Sequence, residues 1–181
     1  LQAKNVIFFF FSFGTTKMLL QSGLKRELPA LGKYFTSHPQ FMSFGFFDEP
    51  VNSHKGYFQT VCSKDPGFRE KGFKLENVFA PPISLAMLFN RTGKQHQEAM
   101  RNYTRMSSIE VAIRDENAGE IKVNKKGKLM VDKPLTDQDK RRRDEGLEVV
   151  KNILTEAGGK NIFQSPFYFG LHLMGGAVIG T

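Results

Sequence analysis

Apolar and polar residues follow two different spacings along this chain, and the spacing predicts where strands and helices lie. Residues 5–13 are predominantly apolar, with an unbroken apolar run at residues 6–11, which is typical of a buried strand. Residues 41–47 and 56–63 alternate loosely between apolar and polar, so we expect them to pair as an antiparallel hairpin. Further strand patterns, separated by turn residues, lie at residues 75–80, 106–114, 120–124 and 128–131. The last three predict a meander.

Helical spacing marks a long segment near the C-terminal end, residues 135–157. Thr136 is placed to cap this helix, and the acidic residues that follow favour its first turn through the helix dipole. Apolar residues recur at helical spacing and predict one buried stripe, formed by Leu147, Val150, Leu154 and Ala157. Two shorter helices are predicted at residues 84–89 and 90–102, where good helix formers concentrate.

The beginning of the chain combines a strand pattern with a glycine and a helix pattern. Gly14 follows the apolar run, Thr15 or Thr16 can cap the next helix, and Gly23 can end it. A strand, a glycine turn and a helix N-terminus form the layout that receives a phosphate or a dinucleotide, because unpaired N–H groups meet there. The same layout occurs in any αβ unit, so both interpretations stay open.

These patterns predict an α+β fold, with an antiparallel sheet formed by residues 41–131 and helices on one face. The 181 residues are enough for one ordinary domain with a core. Neither end resembles a natural terminus, so we expect an internal piece of a longer protein. The apolar run is too short to span a bilayer and lacks the layout of a signal peptide. The single cysteine, Cys62, excludes an internal disulfide and fits a reducing compartment such as the cytoplasm.

The net charge of +8 raises the question of a nucleic-acid partner. The basic run at residues 140–143 is the strongest feature for it, but acidic residues flank the run on both sides. The sequence shows no helix-turn-helix, zinc-finger or RNA-recognition signature, so we interpret the charge as a solvated face. The four histidines are scattered without the spacing of metal ligands, and we expect no metal site.

The candidate chemistry lies near the end of the chain, where His172 stands inside an apolar, glycine-rich run. A single histidine can move a proton, because its ordinary pKa lies near neutrality. Gly175 and Gly176 allow the main chain to approach a flat group closely. The run therefore suggests a catalytic base held against a cofactor. The alternative is a packed terminal strand whose histidine is satisfied by a hydrogen bond.

Three motifs resemble those of the glucose–methanol–choline (GMC) oxidoreductases. Residues 172–180, HLMGGAVIG, are similar to the active-site histidine segment of that family, in the H-x-x-G-G form found in cholesterol oxidase. Residues 14–24, GTTKMLLQSGL, resemble its second signature, and residues 31–39, LGKYFTSHP, resemble its L-G-x-x-x-x-x-H-P passage. The three matches occur in the family's order and extend over nearly the whole chain.

The resemblance implies an FAD-dependent enzyme that oxidises an alcohol, such as a sugar or a sterol. It assigns proton acceptance to His172 and cofactor contacts to Gly14, Thr15, Gly175 and Gly176. It implies neither a metal nor a nucleic-acid partner, and it leaves the oligomeric state open. The competing interpretation is a non-enzymatic basic α+β module that binds a nucleic acid or a protein.

The resemblance also implies a division into domains. Residues 1–39 would be a segment of the FAD-binding domain, and residues 40–165 would be the substrate-binding domain. Residues 166–181 would return to the FAD-binding domain with the active-site histidine. The passage that carries His38 would be a structural connection between the two, so His38 is not expected to be a ligand.

Overall fold

A computed structural model of the chain describes residues 3–9, 11–89, 91–116 and 119–178. The chain divides into two compact units, which we describe separately. Unit 1 comprises Leu1–His38, Asp115–Thr136 and Leu171–Thr181. Unit 2 comprises Pro39–Arg114 and Asp137–Gly170. Each unit is therefore built from stretches that are distant in sequence.

The described residues form helices and strands that alternate along the chain. The helices are α1 (Phe11–Gln21), α2 (Pro66–Lys71), α3 (Pro82–Leu88), α4 (Gly93–Arg101) and α5 (Asp137–Glu156). The strands are β1 (Pro39–Phe46), β2 (Phe73–Asn77), β3 (Met106–Ile113), β4 (Glu120–Val123), β5 (Leu129–Asp132) and β6 (Lys160–Gly170).

Unit 2 is organised around a four-stranded antiparallel sheet in the order β2-β3-β1-β6. On one face Phe44 packs into an apolar cluster with Leu85 of α3 and Ala99 of α4. On the other face α5 covers the sheet, and Gly146 lies directly against Val111. The α+β prediction is confirmed, and the helices prove to be divided between the two faces of the sheet.

Aromatic rings fill the cluster beneath α3 and α4. The ring of Phe44 stacks on Phe163 with centroids 5.2 Å apart and meets Phe89 edge-on at 5.7 Å. Phe44 and Leu85 are fully buried. Such ring pairs add to the free energy gained from burial alone. The cluster explains why the central strand β1 can carry aromatic residues on a face that a helix covers.

Helix α5 confirms the prediction made from its helical spacing. Leu147, Val150 and Leu154 are buried against the sheet, whereas Ala157 is exposed, so the predicted stripe is one residue too long. The helix ends at Glu156, before Gly158 adopts a positive φ of 87°. Ala157 therefore lies in the turn after the helix, where helical spacing no longer decides which side a residue faces.

Unit 1 contains α1, the two-stranded sheet β4-β5 and the segments that flank them. Helix α1 ends as predicted, because Gly23 has a φ of 78° and its N–H donates to the carbonyl of Leu20. Ile121 of β4 is buried. The pairing of β4 with β5 is confirmed, but the hairpin forms its own sheet and does not continue from β3. Part of the predicted turn at 115–119 lies outside the described residues.

The apolar run at the beginning of the chain is not the buried strand that its pattern predicts. Residues 3–9 have no regular secondary structure, and helix α1 begins at Phe11, within the run, part of which lies outside the described residues. Val6, Ile7 and Phe9 are exposed. A short apolar run is compatible with either a strand or a helix. Among the described residues, no strand pairs with residues 3–9. The predictions of Gly14 as a turn residue and of Thr15 or Thr16 as the helix cap are also wrong, because all three lie inside α1.

The predicted hairpin between residues 41–47 and 56–63 is wrong as well. Both edges of β1 are occupied, by β3 on one side and β6 on the other. With a strand paired along each side, β1 has no free edge for residues 56–63. This stretch instead follows the edge of β2, where Cys62 forms an isolated bridge with Glu76.

Across the described ranges, no helix combines the length and the apolar character needed to cross a bilayer.

Replacing Leu154 with alanine tests the packing of α5 on the sheet. Leu154 is 3% exposed, and its loss should lower the free energy of unfolding by about 2–5 kcal/mol, because a cavity remains. The matched control is Ile153→Ala on the same helix, where the side chain is 41% exposed and the expected loss is below about 1 kcal/mol. Chemical denaturation followed by circular dichroism measures both. Equal losses would contradict this packing.

Candidate functional site

The segment that carries His172 is fixed by backbone hydrogen bonds to residues 32–36 of the same unit. Thr36 and Met174 exchange both bonds, with N···O distances of 2.9 and 3.0 Å. The N–H of Gly32 donates to the carbonyl of Gly176 at 2.6 Å. Two of the three motifs found in the sequence therefore form an antiparallel pair, although they lie near opposite ends of the chain.

Gly175 and Gly176 both have positive φ angles, 83° and 81°. A Cβ at Gly175 would collide with the backbone carbonyl of Tyr34. A Cβ at Gly176 would lie 2.5 Å from the Oγ1 of Thr16 and 2.8 Å from Ile121. The two glycines thus allow their backbone to pack closely against other residues of the same chain. Packing alone explains both glycines, whether or not a cofactor also contacts them.

The imidazole of His172 is exposed and lies against the ring of His38. The two ring centroids are 5.2 Å apart, and the rings are tilted by 44°. Within the described residues, the side chain of His172 makes no hydrogen bond or ion pair. An exposed imidazole without such a partner can accept a proton from a molecule that approaches from outside. The last two residues of the motif, 179 and 180, lie outside the described part.

A cavity of about 310 Å³ lies in unit 1, at the low end of the size range of small-molecule sites. It brings together two predicted cofactor residues, Thr15 and Gly175, whereas Gly14, Gly176 and His172 do not line it. Aromatic side chains dominate its wall. The residues that line it are Phe8, Phe9, Phe11, Ser12, Thr15, Gly175 and Ala177.

The cavity fits one part of an FAD molecule better than another. Phenylalanine rings and the backbone at Gly175 and Ala177 offer a wall for a flat ring, and Ser12 is oriented by donating to the carbonyl of Leu173 at 3.1 Å. A diphosphate prefers a glycine-rich turn before a helix N-terminus. Residues 3–9, which lead to α1, contain no glycine. These residues fit the ring system, and the diphosphate would need other segments.

Unit 2 contains a buried carboxyl pair that the sequence analysis did not identify. Glu76 of β2 and Glu110 of β3 stand directly opposite each other and share a hydrogen bond. Gln40 donates to the Oε1 of Glu110 at 3.1 Å, and Lys74 forms an ion pair with Glu76 at 2.7 Å. The available signal was a glutamate within the otherwise uncharged strand pattern SSIEVAI.

The pKa of Glu110 is raised to about 7, and burial is the largest cause. The hydrogen bond with Glu76 and the negative charge of Glu76 contribute to the rise, and the charge of Lys74 lowers the pKa. A carboxyl pair buried at such short range cannot easily carry two negative charges. Burial and the neighbouring carboxylate therefore favour the protonated form of Glu110. The described residues contain no group of three or more histidine, cysteine or acidic side chains placed to hold a metal ion.

Comparison with known proteins relates the chain to alcohol oxidases from a plant. It is 29% identical over 161 residues to the long-chain-alcohol oxidase FAO3 of Arabidopsis thaliana, a match that covers 82% of this chain and 20% of the oxidase. It is 27% identical over 160 residues to the long-chain-alcohol oxidase FAO4A of the same plant, a match that covers 82% of this chain and 21% of that protein. The chain thus spans about a fifth of the length of these curated relatives. No family model matches the chain.

Because of the carboxyl pair, we expect the free energy of unfolding to fall as the pH rises. The folded chain raises the pKa of Glu110 above its ordinary value of 4.5, so folding favours the protonated form. The resulting stabilisation is complete below pH 4.5 and is lost as the pH passes through about 7. The free energy of unfolding should fall by up to about 3 kcal/mol over this range.

Glu110→Gln should remove most of this dependence, because the amide stays neutral and can still form hydrogen bonds. Glu49→Gln, at an exposed carboxylate of the same unit, should keep it. Urea unfolding between pH 4.5 and 8 measures the slopes. A slope that survives in Glu110→Gln would show that other groups cause it.

Proposed function

We propose that this chain is part of an FAD-dependent enzyme of the GMC type that oxidises an alcohol, with His172 as the proton acceptor. The observation that carries the proposal is the backbone pairing of the two motifs at residues 31–39 and 172–180. Each motif resembles the family through its own residues, and unit 1 brings the two together beside a cavity. The similarity to two long-chain-alcohol oxidases extends over 82% of the chain and supports the same proposal.

The role of His172 follows from its exposure and its ring chemistry. Its neutral imidazole accepts the proton of the alcohol hydroxyl, which becomes bonded to a ring nitrogen. Loss of the proton raises the electron density on the alcohol oxygen, and a carbonyl bond forms as the hydride leaves the carbon. Bound FAD supplies the acceptor for that hydride. The proton would pass to His172 and the hydride, with its two electrons, to the cofactor, so that the alcohol would become a carbonyl compound.

Cofactor contacts are proposed for Gly14, Thr15, Gly175 and Gly176. Thr15 and Gly175 have the stronger support because both line the 310 Å³ cavity, and the other two are their chain neighbours. The diphosphate of the cofactor is expected to bind to segments that precede or follow this chain. As the resemblance implies, we propose that residues 1–39 and 166–181 belong to a cofactor-binding domain and residues 40–165 to a substrate-binding domain. Asp115–Thr136, inside the second range, belong to unit 1 of the structure.

The substrate class proposed is a long-chain alcohol, since both relatives are named for oxidising one. The competing proposal, a basic module that binds nucleic acid or protein, receives less support from the basic run at residues 140–143. Lys140 pairs with Asp137 at 2.9 Å, and Arg143 pairs with Asp144 at 2.8 Å. Arg142 is buried and donates to the carbonyl of Arg114 at 2.6 Å. These three basic side chains of the run are therefore engaged within the chain itself.

Replacing His172 with alanine in the complete protein tests the proposed function. Anaerobic flavin reduction by 1-dodecanol should slow by a factor on the order of 10² to 10⁴, the usual contribution of a general base. FAD content should stay nearly unchanged, because other segments hold most of the cofactor. The 181-residue chain alone should purify without stoichiometric flavin.

Two measurements separate this result from a structural role of the histidine, namely the rate per bound flavin and the thermal midpoint. A lower midpoint with an unchanged rate per flavin would show that His172 is structural. If 1-dodecanol, cholesterol and glucose all fail to reduce the flavin of the wild-type protein, the proposed alcohol chemistry is wrong.

A further inference from the structure

His38 lies opposite His172 because of the backbone register. Thr36 and Met174 are a directly opposed antiparallel pair that exchanges both hydrogen bonds. In such a pairing, residues two positions further along each strand are opposed as well and face the same side. Moving from Thr36 to His38 and from Met174 back to His172 therefore predicts facing side chains. The observed ring separation of 5.2 Å agrees with that register.

The backbone at His38 adopts a conformation that few residues tolerate. Its φ is 50°, and the next residue is Pro39, which restricts the backbone of the residue before it. Such a conformation persists only where the surroundings hold it, and it is a reason to look for a function. The N–H of Ser37 donates to Asp115 at 3.3 Å, and Asp115 forms a buried ion pair with Lys133 at 3.1 Å. These contacts anchor the residue immediately before His38.

The two histidine side chains in this contact differ in their exposure to solvent. His172 is exposed, whereas His38 is half-buried and has interactions of its own. A half-buried ring has less room to move than an exposed one, so it can restrict the rotation of the exposed ring that lies against it. Without this contact, the side chain of His172 could populate several rotamers, because no hydrogen bond within the described residues fixes it.

We propose that His38 is a positioning residue for His172. Its ring holds the imidazole of His172 in the orientation in which a ring nitrogen faces the alcohol hydroxyl. This inference rests on the proposed function of His172 as the proton acceptor. His38 acts through the ring contact, so an aromatic ring at position 38 is the property that matters. A misplaced general base costs turnover more than substrate binding.

Variants at position 38 in the complete protein test the role of the ring. His38→Asn tolerates a positive φ but has no ring, and it should lower the kcat of flavin reduction by 1-dodecanol roughly 10- to 100-fold, with KM changed less than about twofold. His38→Phe restores a ring and should recover most of the kcat. The matched control is Tyr34→Asn, since Tyr34 has a φ of 61°, lies in the same segment and has an exposed side chain. Its kcat should equal that of the wild type.

A second measurement uses the 181-residue chain and is independent of catalysis. The nuclear Overhauser effect between the ring protons of His38 and His172 should be present in the wild type. Its absence would overturn the ring contact and the proposal with it. A wild-type kcat in His38→Asn, or a loss that His38→Phe does not recover, would also overturn the positioning role. An undiminished rate in His172→Ala would instead reject the proposed function, and the two failures are therefore distinguishable.

Discussion

Backbone pairing between residues 32–36 and 174–176 is the constraint on which the candidate site depends. It joins residues near the two ends of the chain, so any part of the site that combines residues from both stretches depends on it. The pairing sets the register that opposes the two histidine rings. It also requires glycine at position 175, because the carbonyl of Tyr34 lies where a side chain would begin. If the pairing were lost, His172 would no longer be held near its neighbours in unit 1.

Local patterns predicted the elements whose stability is decided locally. Helix α5 has its apolar residues at helical spacing and a sheet to cover, so its buried stripe could be predicted almost to the residue. The hairpin β4-β5 was equally visible, because turn residues separate two short strand patterns. The fold class followed from counting such elements. In each case the residues that allow the prediction lie within the element itself.

The features that could not be predicted are those that depend on distant partners. Strand β1 pairs with β3 and β6, and nothing in its own residues distinguishes these partners from the nearer stretch 56–63. The apolar run before α1 suggested burial, but an apolar run is buried only where another element covers it. Glu110 was overlooked for the same reason, since its burial depends on Gln40 and Glu76 from the neighbouring strands. For the site, the three motifs supplied the candidate residues, whose roles stay predictions, whereas the contact between His38 and His172 depends on the register of distant residues.

Nuclear magnetic resonance of the 181-residue chain tests whether the histidine segment pairs with the passage at residues 32–36. The amide protons of Thr36 and Met174 should exchange slowly with solvent and should show a mutual nuclear Overhauser effect, because each donates to the other residue's carbonyl. Exchange at the rate of an unstructured chain, with no cross-peak between the two amides, would contradict the pairing and the candidate site that depends on it.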